Sequence, residues 1–281
     1  IVHQDLGASF GAVTTVRFVL CFLLILVPTV AMGGTLPVAL RALSPTAQNA
    51  GKTLSKLYGI NTFGAAAGVL TAAYWIIPAM GIQGTIITAS VINVVLAIIA
   101  LVVDRKLGET AIAEDPSKEA EVGADNSAPP ITVPMALMYA GAFTSGFATL
   151  AYEVVWMHLL ATLVGNSVYA FGIMLATFLF GLALGGSLAG RYADSTPKAL
   201  TTVAITQVCL GLLVLALMPL WDTLPHIFAW LGQLKPGFFL GELTRFLVSS
   251  LLMVVPCTLM GMTFPLITRA VTRSSKHLGQ Q

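Results

Sequence analysis

Five stretches of the chain run without a charged residue: Phe18–Leu40, Leu57–Val103, Met135–Tyr152, Ala199–Trp221 and Phe246–Thr268. A sixth, Val154–Gly190, contains only the titratable His158. A helix of about 20 apolar residues crosses the hydrocarbon core of a bilayer. Leu57–Val103 is therefore long enough for two spans, divided at "PAMGIQG" (Pro78–Gly84), and Val154–Gly190 covers the end of one span and the whole of the next. The pattern predicts seven helices, beginning near residues 14, 57, 84, 135, 168, 199 and 245. Buried helices of soluble domains rarely run this long without a charge, so the fold class read from the pattern is an all-α, polytopic transmembrane helix bundle.

Composition agrees. Apolar residues make up 57% of the 281 and charged residues 9%, with a mean hydropathy of +0.88. Soluble domains carry about 25% charged residues. The formal net charge of +2 matters less than its placing. If the helices alternate in direction, eleven basic residues, among them Arg41, Lys56, Arg105, Arg191 and Arg269, fall on one side, and only Arg17, Lys235 and Arg245 on the other. The positive-inside bias then puts the N-terminus outside and the C-terminus in the cytoplasm. The basic residues read as topology markers, so the expected partner is a lipid bilayer and no nucleic acid. Cys21, Cys209 and Cys257 each lie inside an apolar span and read as small packing residues. The four histidines lack metal-ligand spacing, and no Gly-x-Ser-x-Gly elbow occurs. No metal, cofactor or catalytic residue is expected in this chain.

One segment departs from the apolar pattern. Asp104–Pro134 holds seven of the twelve acidic residues and almost no large apolar ones, and reads as a flexible cytoplasmic linker. It separates residues 1–103, read as the last three helices of a first membrane unit, from residues 135–281, read as the first four helices of a second. A gapless repeat supports that division. At an offset of 228, Arg17–Leu43 and Arg245–Val271 share twelve identities in twenty-seven positions, including Arg17/Arg245, Pro28/Pro256, Gly33/Gly261, Thr35/Thr263, Pro37/Pro265 and Arg41/Arg269. The second unit has three helices ahead of its copy, and the first has two behind its own. One unit is then six helices and two make twelve, the plan of major-facilitator-type transporters. By this arithmetic the chain is a fragment, and a second run similar to "KLYGINTFGAAAG" is expected shortly after Gln281.

Glycine spacing adds detail. Gly181/Gly185 and Gly186/Gly190 each form GxxxG, a spacing that lets helix backbones approach closely. Gly190, Asp194 and Lys198 resemble the loop between helices two and three of major facilitators, although Ser195 and Pro197 stand where a basic residue and a glycine are usual. An ordinary turn after a tightly packed helix fits equally.

The wording of several segments is more specific. "SGFATLAYEVVW" (Ser145–Trp156), "FLFGLALGGSLAGRYAD" (Phe178–Asp194), "PCTLMGMTFPLITRA" (Pro256–Ala270) and "KLYGINTFGAAAG" (Lys56–Gly68) together resemble the membrane region of spermidine-synthase-like integral membrane proteins. The resemblance covers most of the chain outside the linker. It implies a bacterial inner-membrane protein linked to polyamine chemistry, in which an aminopropyltransferase-like domain often follows the membrane region. It supplies no catalytic residues here: Gly33-Gly34 and Gly185-Gly186 are followed by Thr35 and Ser187, where the enzyme's glycine loop ends in an acid.

Within the spans, polar and proline residues are the candidates. Asn61 lies beside Gly64/Gly68 and reads as an interhelical hydrogen bond or a substrate contact; Gln207 and Asn93 are similar with weaker context. Pro28, Pro37, Pro256 and Pro265 read as static kinks or as hinges along a substrate path. Glu153, the one acid between Met135 and Arg191, is expected toward the outer end of its helix, with Trp156 at the interface. There it forms an ion pair with Arg245 or Arg17, or serves as a cation or proton site. Two functions of different class fit these residues: a membrane module attached to or acting with a polyamine aminopropyltransferase, and a major-facilitator-like transporter of small amines or polyamines.

Overall fold

The computed structural model describes residues 10–43, 50–111, 135–165, 167–193, 199–233 and 237–278. Seven α-helices account for nearly all of them: α1 (Phe10–Leu43), α2 (Ala50–Thr71), α3 (Ile77–Ala111), α4 (Met135–Val164), α5 (Val168–Ala193), α6 (Ala199–Gln233) and α7 (Phe238–Leu278). A π-helical turn, Ala72–Ile76, joins α2 to α3. The all-α class is the one the apolar pattern predicts. Among the described residues, five segments are long and apolar enough to cross a membrane: Gly11–Ala42, Thr53–Arg105, Val168–Gly190, Leu200–Gln233 and Ser250–Thr268. They suit a multi-pass protein in a lipid bilayer. The longest, Thr53–Arg105, is interrupted at Gly81, whose φ of 69° and ψ of −178° end the helical path. That backbone conformation is open to glycine at little cost, and it falls inside the Pro78–Gly84 divider.

Helix ends overrun the apolar stretches. α2 begins at Ala50 rather than near 57, α7 at Phe238 rather than near 245, and α6 continues past Trp221 to Gln233. Apolar runs mark the depth of hydrocarbon, whereas the backbone ladder continues wherever residues such as Lys52, Lys56 and Glu109 tolerate a helix. The acidic segment is accordingly helical to Ala111; residues 112–134 lie outside the described residues, as do Asp194 and Lys198 of the candidate loop.

α5 is the axis of the bundle. Its most extensive contacts are with α7, and next with α2. The two GxxxG pairs account for both. They are offset by five residues, which rotates one from the other by about 140° around a helix of 3.6 residues per turn. Gly181 and Gly185 face α7: a Cβ on Gly185 would lie 2.8 Å from the Met262 backbone nitrogen and 2.9 Å from Gly261 Cα. Gly261 returns the contact, since a Cβ there would sit 2.8 Å from Leu182 Cα. Gly186 and Gly190 face α2, where a Cβ on Gly190 would lie 2.8 Å from that of Ser55. Ser55 against Gly190 and Ala73 against Gly172 run in opposite chain directions, so α2 and α5 are antiparallel. These contacts join the segment before the acidic linker to the segment after it.

The core lies between α4, α5, α6 and α7, around Trp156, Leu160, Met174, Phe178, Leu210, Leu252 and Met253. Trp156 is 4% exposed and belongs to this core. Cys257 packs in the same core, whereas Cys21 and Cys209 are exposed. α1 packs mainly on α2, and between Gly81 and Arg105 most of α3 is exposed. The two repeat copies therefore stand in different surroundings. Pro256 and Pro265 are fully buried, while Pro28 and Pro37 are exposed and a Cβ on Gly33 would meet nothing within 4 Å.

Candidate functional site

Three polar side chains meet in the half of the bundle that holds the start of α4. Gln207 of α6 donates from Nε2 to Thr263 Oγ1 of α7 at 3.0 Å and to Ser145 Oγ of α4 at 3.4 Å. Thr263 Oγ1 passes its own proton to the Leu259 carbonyl at 3.2 Å. Amide and hydroxyl groups in an apolar bundle need such partners, because water is not there to replace them. A cavity of about 530 Å³ opens beside this junction, lined by Met138, Gly141, Ser145, Val203, Gln207 and Ile267 among others. Its eleven lining residues carry no charge. Volumes of about 300–1,000 Å³, mostly apolar with a few placed polar groups, are typical of small-molecule sites.

The same junction sets the depth of the charged candidates. Ser145 and Thr263 share one level, and α4 runs antiparallel to α7. Glu153 lies eight residues from Ser145 and Arg245 eighteen from Thr263 in the same direction, so their backbones differ in depth by about 15 Å at 1.5 Å per residue. The expected pairing at a common depth is not what this register gives. The reason is the length of α4, which continues eleven residues past Glu153 to Val164. Glu153 is thus a half-buried residue of the mid-bundle, near the level of Pro256 and the buried Cys257, and not of a helix end. Arg17 is exposed on α1.

The opposite end carries a second polar contact. Tyr74, within the π-helical turn, donates its phenolic proton to Glu242 Oε2 of α7 at 2.8 Å. Glu242 is 8% exposed. The Tyr169 ring, from the first turn of α5, lies against that of Tyr74 with centroids 5.1 Å apart. Single π turns inside α-helices recur at functional positions because they shift side chains off the regular face.

The remaining candidates separate. Asn61 is exposed on α2 and Asn93 on α3, and Gly64 and Gly68 meet no atom within 4 Å, so they form no close-packed face in this structure. All four repeat prolines sit within continuous helices, α1 for Pro28 and Pro37 and α7 for Pro256 and Pro265. Gly181, Gly185, Gly186 and Gly190 act in packing. Among the described residues, no group of three or more His, Cys, Asp or Glu side chains could hold a metal ion.

Ser145, Thr263, Tyr74 and Glu242 are not among the sequence candidates. For Thr263 a signal existed, because it is one of the repeat identities, paired with Thr35. Glu242 escapes notice because it stands four residues ahead of an uncharged run and looks like part of a loop. No protein-family profile, curated protein or solved structure matches the chain.

Proposed function

We propose that this chain is the membrane region of a spermidine-synthase-like protein, built on a two-unit major-facilitator-like plan. In this reading it serves as a bacterial inner-membrane module attached to, or acting with, a polyamine aminopropyltransferase on the cytoplasmic side. The observation that carries the reading is the joint between the segments before and after the linker. α2 meets α5 through Ser55/Gly190 and Ala73/Gly172 over most of their length, and Tyr74 bonds to Glu242 at one end. Such backbone-close packing supports a fixed platform. The experiment is to assay spermidine formation from putrescine and the aminopropyl donor in membranes expressing the full open reading frame. Activity should sediment with the membranes and fall to background when residues 1–281 are deleted; soluble activity of unchanged rate after the deletion would refute the module.

The mid-bundle acid Glu153 favours a second reading, transport of small amines, because a carboxylate at that depth is expensive unless it is used. Proteoliposomes holding the protein should then take up spermidine above empty vesicles, and Glu153→Gln should abolish uptake while leaving the melting temperature unchanged. Uptake equal to that of empty vesicles would remove this reading. From the register, a Glu153→Arg/Arg245→Glu exchange should not restore uptake.

A further inference from the structure

We infer that the cavity between α4, α6 and α7 is a binding site for a neutral, single-chain amphiphile that enters from the bilayer and places a hydroxyl or amide head against Gln207 and Ser145. The inference goes beyond the enzyme-module reading and does not depend on it. Its first ground is the arrangement of polar atoms. Gln207 uses its Nε2 on Thr263 and Ser145, and among the described residues its Oε1 has no hydrogen-bond donor. Ser145 Oγ accepts from Gln207, and its own proton has no acceptor among those residues. One acceptor and one donor therefore lie side by side at the cavity wall, which is the complement of a hydroxyl or a primary amide. Gln207 Oε1 is not among the fully enclosed unpartnered atoms of the bundle, so it remains reachable, and Ser145 is a half-buried residue of the same cavity wall.

The second ground is the rest of the lining. Met138, Gly141, Ala148, Val203 and Ile267 offer a hydrocarbon ligand only apolar contact. A cationic amine would leave water for a site without a carboxylate, and an isolated ammonium in such surroundings is strongly disfavoured. A neutral chain gains from the same walls through burial of its methylenes. The third ground is the mouth. Leu137 is 63% exposed, and Leu200 on the facing helix is 37% exposed. Both line the cavity, so it opens at the outer surface between α4 and α6, and the ligand comes from that side.

The test is photolabelling of the full chain in nanodiscs with a decanol that carries a mid-chain diazirine. Cross-links should concentrate in the peptides spanning residues 137–148 and 200–207 and be suppressed by unlabelled decanol. Gly141→Phe fills the cavity, and its side chain meets open space at the start, since no atom lies within 4 Å of the added Cβ. It should abolish that labelling while α3, equally apolar and exposed, is labelled as before. Ala148→Leu provides the same test from a neighbouring position. Gln207→Leu should weaken competition by decanol about tenfold, the effect of one good hydrogen bond to the head group. Labelling spread evenly over α1, α3 and α4, or unchanged by both filling variants, would overturn the site. Stronger labelling by the decylammonium analogue would overturn the ligand class.

Discussion

Replacing Gly185 by alanine isolates the contact on which the bundle turns. The added Cβ would fall on the Thr258 carbonyl oxygen, with the Met262 nitrogen at 2.8 Å and Gly261 Cα at 2.9 Å. All three are backbone atoms of α7, so no side-chain rotation relieves them, and α5 and α7 must separate. Overpacking of this kind costs about 3 kcal/mol at the upper end of its usual range. Alanine returns about 1 kcal/mol of helix propensity, leaving a net loss of about 2 kcal/mol. At about 2–4 °C per kcal/mol for a chain of this size, the melting temperature should fall by about 4–8 °C. Gly64→Ala is the matched control: it has the same propensity gain and nothing within 4 Å of the new atom, so it should be neutral or slightly stabilising. Thermal unfolding of both variants in one detergent, followed by tryptophan fluorescence, gives the comparison. Equal melting temperatures for the two would show that α5 and α7 are not packed backbone to backbone.

Two further expectations concern the Tyr74 contact and the orientation of the chain. Tyr74→Phe removes a hydrogen bond to a buried carboxylate and should cost about 1.5–3 kcal/mol; in a double-mutant cycle with Glu242→Gln the two losses should be strongly non-additive, and simple additivity would deny the contact. Cysteines introduced at Ser127 and Ser275 should resist membrane-impermeant thiol reagents in intact cells, as the eleven-to-three bias of basic residues requires, and labelling of both would reverse the orientation.

Sequence and structure agree where the signal is a property of a whole segment. Six runs without Asp, Glu, Lys or Arg, two of them long enough to reach over more than one helix, become seven helices because the cost of a charge in hydrocarbon is paid residue by residue along a span. The divider at Pro78–Gly84 was legible for a local reason, and Gly81 takes the one backbone conformation there that ends a helix. The glycine pairs on α5 announced close packing, though not their partners, because GxxxG specifies how near a helix comes and not which one. Register was not legible at all. Counted from Met135 alone, Glu153 falls at the end of a span, and the further turns to Val164 carry no mark in the sequence that distinguishes them from the next helix. Polar junctions such as Ser145, Gln207 and Thr263 combine residues 118 positions apart, from Ser145 to Thr263, and no local pattern relates them.

The antiparallel seating of α2 on α5 also constrains how the protein is made. Ser55 meets Gly190, 135 residues later in the chain. At about 5–20 residues per second, α2 leaves the ribosome about 7–27 s before its glycine-faced partner exists. During that interval its Ser55 hydroxyl and the face that later meets Gly190 lack their partner on α5, and among the described residues ahead of the linker its neighbours are α1 and α3. The N-terminal segment therefore waits in the membrane as an incomplete assembly, and its maturation is tied to synthesis of the far side of the linker.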